Sequence, residues 1–180
     1  MSAASRDHHL QAVDLLLGEP IDGIVRLRVQ SGSMRPVLQP GDVVLVRPTA
    51  AEEAKTGDVL VLRDAGGFLT HRLIGKRAGV LYTKGDAARW VDPPGAPGSV
   101  FGRVVAVERN GQVCADFTQA GWKRLSVRLA RLSALEGRLL ARLIKPGTPV
   151  GTLQKCMARA ITLTLHGVAR LLQSGSRPLS

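Results

Sequence analysis

From Gly23 to Val107 the chain is divided into short β-branched runs, IVRLRV, DVVLV, DVLVLR, LTHRLIG, VLYT and VFGRVVAV, separated by Gly, Pro and Asp. Several runs alternate by twos: Val25, Leu27 and Val29 are apolar, and Arg26, Arg28 and Gln30 between them are polar. That is the period of a strand with one buried face, so the pattern predicts an antiparallel β domain. Ahead of it, Leu10, Val13, Leu16 and Leu17 share one face of a short helix expected over 9–17 and ended by Gly18 and Pro20. Beyond Gly121 the period becomes that of a helix. Leu125, Leu129, Leu132, Leu139 and Leu143 share a face, and Arg124, Arg128, Arg131, Arg138 and Arg142 run beside them as a basic stripe. Lys145, Pro146, Gly147 and Pro149 break that helix, a second helical segment is expected from Leu153 to Leu172, and SGSRPLS reads as a frayed end. The organisation is therefore a short N-terminal helix over 1–22, a mainly β domain over 23–120 and a basic amphipathic helical tail over 121–180.

Charge sharpens that division. Of a net +11, little belongs to the β region: up to Asn110, 14 Lys and Arg face 12 acids, and from Gly111 onward 11 face 2. A tail of this kind faces polyanions, an anionic lipid surface or water, which constrains partners more than fold. Cys114 and Cys156 are too few and too far apart for a disulfide framework or a zinc site. No stretch reaches the roughly 18 apolar residues of a spanning helix. The opening residues carry Asp7, His8 and His9 where a signal peptide needs a cationic flank and an apolar run. The expectation is a cytoplasmic or membrane-peripheral protein with no transmembrane helix and no signal peptide.

Three segments carry candidate chemistry. Ser31-Gly32-Ser33-Met34-Arg35-Pro36-Val37-Leu38-Gln39-Pro40-Gly41-Asp42 leads directly into a strand and places Ser33 at a strand end. His71 stands in the alternating run Leu69-Thr70-His71-Arg72-Leu73-Ile74-Gly75, so it points either into a core face or into a cleft. The third segment, Tyr82-Thr83-Lys84-Gly85-Asp86 followed by Ala87, Ala88, Arg89, Trp90, Val91 and Asp92, supplies two acids. A serine hydroxyl becomes a competent nucleophile when a positioned imidazole accepts its proton and returns it to the leaving amine. A carboxylate on the far imidazole nitrogen fixes the tautomer.

In this order the segments SGSMxPxLxxGD, GDVLVL, HR, TKGD, a later Asp and FGRV resemble the successive boxes of the type I signal peptidase superfamily, over roughly Leu27 to Val107. The resemblance implies an open, mostly antiparallel β fold and a serine endopeptidase. The usual bacterial signal peptidases and the LexA-like self-cleaving repressors use a Ser–Lys dyad. Histidine at the base position resembles the archaeal and endoplasmic-reticulum branch. Carried over residue by residue, Ser33 is the nucleophile, His71 the base and Asp92 the third member, with Asp86 as the alternative acid. Ser31, with the N–H of Ser33, is the oxyanion support, and Met34 lines the substrate cleft. The cleft is expected to take small residues at the first and third positions before the scissile bond, presented as an added strand. Lys84 and Lys76 are the rival bases.

Two departures stand out: no stretch of this sequence is expected to form the membrane anchor of that branch, and Ala87, Ala88, Arg89 and Trp90 replace the Asn residues that often follow KGD there. The implied substrate is a leader peptide, signal peptide or small precursor protein, and no cofactor or metal is called for. The leucine-and-arginine tail either lies on an anionic membrane or packs on the β domain. Two functions of other classes compete. A catalytically silent scaffold would bind a peptide at the same edge. A basic nucleic-acid module is disfavoured by few aromatics, by the lack of a zinc pattern, and by a segment before Ser33 too short for a helix-turn-helix domain.

Overall fold

The computed structural model describes residues 15, 16, 18, 20–64, 67–88 and 90–143. Eight strands form one antiparallel sheet: β1 (Leu15–Leu16), β2 (Val25–Arg28), β3 (Val43–Pro48), β4 (Val59–Asp64), β5 (Gly67–Arg77), β6 (Val80–Lys84), β7 (Val100–Arg109) and β8 (Gln112–Asp116). Their order is β1-β2-β3-β7-β4-β5-β6, with β8 also on β7. A long helix, α1 (Ala120–Leu143), follows β8. The mainly β open fold expected from the alternation is what forms. β7 organises it: β3 pairs along one edge, while β4 and then β8 occupy successive stretches of the other.

β4 lies between two cores. Val59, Leu60, Val61 and Leu62 are all buried, so this strand is covered on both faces. Val59 and Val61 join the larger core with Val25, Leu27, Val44, Val46 and Val107. Leu60 and Leu62 join a smaller cluster with Leu73 and Leu81. Each fully buried leucine contributes about 1.5–3 kcal/mol of transfer free energy, so two clusters back to back on one strand fix its register firmly.

The described helix is part of this core. Leu125 and Leu129 are buried against the strands, and Ala130, Ser126, Ser133 and Glu136 lie on the same covered side. Arg124, Arg128, Arg131, Arg138 and Leu135 are exposed. The leucine face therefore packs on the β domain at Leu125 and Leu129 instead of forming a separate appendage. The second helical segment expected from Leu153 to Leu172 lies outside the described residues. Among the described residues no helix is long and apolar enough to cross a membrane.

The helix expected over 9–17 is corrected where it can be seen. Leu15 and Leu16 form a strand that pairs with Arg28 and Leu27, and 9–14 lie outside the described residues. The edge of β2 offers unpaired backbone groups, and pairing with them outweighs a weak helical period in so short a segment.

Candidate active site

Ser33 sits in the connection between β2 and β3, and the residues around it explain why that connection holds its shape. Its neck is closed by backbone bonds from Val29 N–H to Asp42 O and from Gly41 N–H to Val29 O, both 2.9 Å. Gly41 has φ +93°, a conformation that favours glycine, which accounts for the Gly before the Asp. The Asp42 carboxylate, 3% exposed, accepts the Gln39 N–H and two donors of Arg109, each at 2.8 Å. These bonds tie the loop to the end of β7, and donating to the Asp42 carboxylate raises the pKa of Arg109 above its ordinary value. On the inner side Met34 and Leu38 are buried, and Leu38 N–H closes a turn onto Met34 O.

Above that turn, Ser33 Oγ lies 3.1 Å from His71 Nε2, and His71 Nδ1 lies 2.6 Å from Asp92 Oδ2. The His71 side chain is fully buried, and that of Asp92 is 14% exposed. With Nδ1–H donating to the carboxylate, Nε2 is left as an acceptor facing the serine hydroxyl. β5 places the imidazole, whose cross-strand partner is Leu60. Asp92 is held to the end of β6 twice, by its own N–H to Thr83 O at 2.9 Å and by Thr83 Oγ1 donating to Oδ2 at 2.7 Å.

Of the two candidate acids, then, Asp92 is the one on the imidazole. Asp86 is corrected: its two oxygens accept Arg72 Nε and Nη2, each at 2.7 Å, in a bidentate pair buried beside the site. The reason is strand alternation: Arg72 is the next residue after His71 and projects from the opposite face of β5. Arg72 Nη1 also donates to Gly57 O at 2.9 Å. Lys84 is directed elsewhere as well. Its Nζ donates to Glu136 Oε2 of α1 at 2.8 Å, and both side chains are at most 2% exposed. Lys76 Nζ donates to Ala51 O and Glu52 O. Neither rival base is hydrogen-bonded to Ser33.

Gly85, between Lys84 and Asp86, permits the closest approach in the site. A Cβ at this position would stand 2.7 Å from Ser33 O and 2.9 Å from His71 Nε2, distances real side chains do not adopt. The turn also grips the serine segment directly, through Ala87 N–H to Ser33 O at 2.7 Å. Ser31 Oγ lies 3.1 Å from Ser33 Oγ and accepts the Ser33 N–H at 3.5 Å, so both candidate oxyanion donors lie beside the nucleophile. Met34 is corrected: it is 2% exposed in the main core, and its Sδ accepts the Asp86 N–H at 3.4 Å. It supports the turn from below; it does not line an open cleft. Among the described residues no group of three or more His, Cys, Asp or Glu is placed to hold a metal.

Thr83, Gly85, Arg72 and Glu136 were not singled out as site residues by the sequence pattern, although two left a trace. Thr83 sits two residues from buried Leu81 on the same face of β6, a polar side chain at an inward position. Glu136 is the one acid in α1, and it falls on the face of Leu125 and Leu129.

A family model described as Peptidase S24-like matches residues 4–84. The match covers Ser31, Ser33 and His71 and stops before Gly85, Asp86 and Asp92. Over that stretch, less than half of the chain, the sequence is similar to Peptidase S24-like proteins, and the mainly β sheet is consistent with such a fold. No curated protein and no solved structure matches the chain.

Proposed function

We propose that the protein is a serine endopeptidase of the Ser–His–Asp type, resembling the archaeal and endoplasmic-reticulum signal peptidases, that removes a leader or signal peptide or processes a small precursor protein. The observation that carries this reading is the continuous line Ser33 Oγ, His71 Nε2, His71 Nδ1 and Asp92 Oδ2, with spacings of 3.1 and 2.6 Å on either side of a buried imidazole. In the first half-reaction Ser33 Oγ attacks the scissile carbonyl carbon and its proton passes to His71 Nε2, while Asp92 steadies the imidazolium. The Ser31 hydroxyl and the Ser33 N–H receive the charge forming on the carbonyl oxygen. Collapse breaks the C–N bond, the amine leaves with the Nε2 proton, and an acyl ester remains on Ser33. A water attacks that ester, gives its proton to Nε2, and the proton returns to Ser33 as the acid product leaves.

The resemblance suggests a substrate with small residues at the first and third positions before the cleaved bond. The exposed Arg124, Arg128, Arg131 and Arg138 suit contact with an anionic membrane surface, each basic residue adding about 1 kcal/mol near it. The test is cleavage of an extended peptide library randomised at those two positions. Ser33→Ala and His71→Ala should each lower turnover by about 10⁴-fold or more, and the double variant should be no worse, since the two groups act as a unit. Turnover retained in folded Ser33→Ala would overturn the reading in favour of another nucleophile, and a folded wild type with no turnover on any peptide would overturn it in favour of the silent scaffold.

A further inference from the structure

On the far side of the Arg72 hydrogen bond, a cavity of about 390 Å³ opens between the turn before β4, the strands β3 and β7 and the first turns of α1. It contains none of Ser33, His71 and Asp92. Four cationic side chains line it, Arg47, Lys55, Arg103 and Lys123, with one carboxylate, Asp58, and the ring of Phe117. Two of the cations are placed against each other by the fold: Arg47 of β3 and Arg103 of β7 are cross-strand partners. Like charges directly opposite on neighbouring strands destabilise a sheet. Asp58 answers that repulsion weakly. Its Oδ2 is 3.9 Å from Arg103 Nη1 and already accepts the Lys55 N–H at 2.8 Å.

We propose that this cavity is a binding site for a phosphate-bearing anion, distinct from the peptidase site and independent of whether that site is catalytic. An oxyanion between Arg47 and Arg103 would turn a like-charge contact into two charge-assisted hydrogen-bonded contacts, and guanidinium forks match phosphate oxygens in pairs. Lys55 and Lys123 add point charges to the lining. Phe117, held edge-on against Trp122 with ring centroids 5.3 Å apart, offers an apolar surface for the rest of the ligand. The volume falls in the range of roughly 300–1,000 Å³ typical of small-molecule sites.

The phosphate could belong to a soluble ester or to a lipid headgroup, and one titration separates them. Inorganic pyrophosphate is titrated into the full-length protein while Trp fluorescence and heat are followed, and the titration is repeated with phosphatidylglycerol vesicles present, then with phosphatidylcholine vesicles. The expected result is saturable pyrophosphate binding that Arg47→Gln/Arg103→Gln weakens at least about tenfold. The control Arg28→Gln/Arg77→Gln, which removes equal charge from exposed strand positions outside the cavity, should bind as the wild type does. Competition by phosphatidylglycerol and not by phosphatidylcholine assigns the site to a headgroup; no competition by either assigns it to a soluble anion. The proposal is overturned if wild-type binding does not saturate, or if the control pair weakens binding as much as the cavity pair, because general basicity then accounts for it. Both variants replace exposed or half-exposed side chains, and matching thermal melts would verify that they fold.

Discussion

Arg72 and Lys84 stand opposite each other on β5 and β6, as Arg47 and Arg103 do on β3 and β7. The first two are completely buried, and each has its own carboxylate, Asp86 for Arg72 and Glu136 for Lys84. The second two line a cavity whose one carboxylate, Asp58, is 3.9 Å from Arg103. Burial accounts for the difference. An uncompensated charge inside the protein costs several kcal/mol, so both inner cations need a partner in close contact, whereas water and salt screen the outer pair. The inner pairs also do something the outer pair does not: they tie the two flanks of Gly85, and so the turn that touches Ser33 and His71, to β5 on one side and to α1 on the other.

The comparison breaks most visibly at Lys84. Lys84→Met leaves Glu136 as a buried carboxylate without its ammonium and should destabilise the protein by about 3–5 kcal/mol in urea unfolding. Lys84→Met/Glu136→Leu removes both charges and should recover most of that loss. A double variant as unstable as the single one would mean that packing at Lys84, and not charge, is what the helix supplies.

A smaller effect is expected at the cavity. Arg47→Gln relieves a like-charge contact and should change stability by no more than about 0.5 kcal/mol, in the stabilising direction, with the gain disappearing at high salt. A loss above about 1 kcal/mol would place Arg47 among the buried, partnered cations and erase the contrast.

The smallest effect belongs to Asp116, at the end of β8. Hydrogen bonds from Thr118 Oγ1 and N–H hold its carboxyl below the usual carboxylate range. A depressed folded pKa contributes stability above the unfolded value of about 3.9, lost as pH falls through the folded pKa. The melting-temperature gap between wild type and Asp116→Ala should therefore be small at pH 6 and close further on acidification. A gap that widens on acidification would contradict the assignment.

How much of this was legible beforehand follows the range of the interactions. The strands were, because Val25, Leu27 and Val29 alternate with polar neighbours and the alternation reports directly which face is covered. Ser33, His71 and the two acids stood out as motifs. The resemblance put Asp92 ahead of Asp86, but the residues alone left both open, since the choice depends on Arg72 projecting from the opposite face of β5 to His71. Glu136 stood out as an acid on an apolar helix face, but its partner was out of reach for the same kind of reason: 52 residues separate it from Lys84, and only the docking of α1 brings them together. Leu15 and Leu16 were read as helix because their period is local, while the β2 edge that recruits them is not.

The most direct test of the central claim is acylation of Ser33. The protein is mixed with p-nitrophenyl acetate, nitrophenol release is followed at short times, and the acetylated residue is located by peptide mass mapping. The account predicts a stoichiometric burst, acetate on Ser33, and loss of the burst in both Ser33→Ala and His71→Ala while their melting curves stay close to wild type. A burst that persists in folded Ser33→Ala, or acetate found on Lys84 or another residue in place of Ser33, would contradict it.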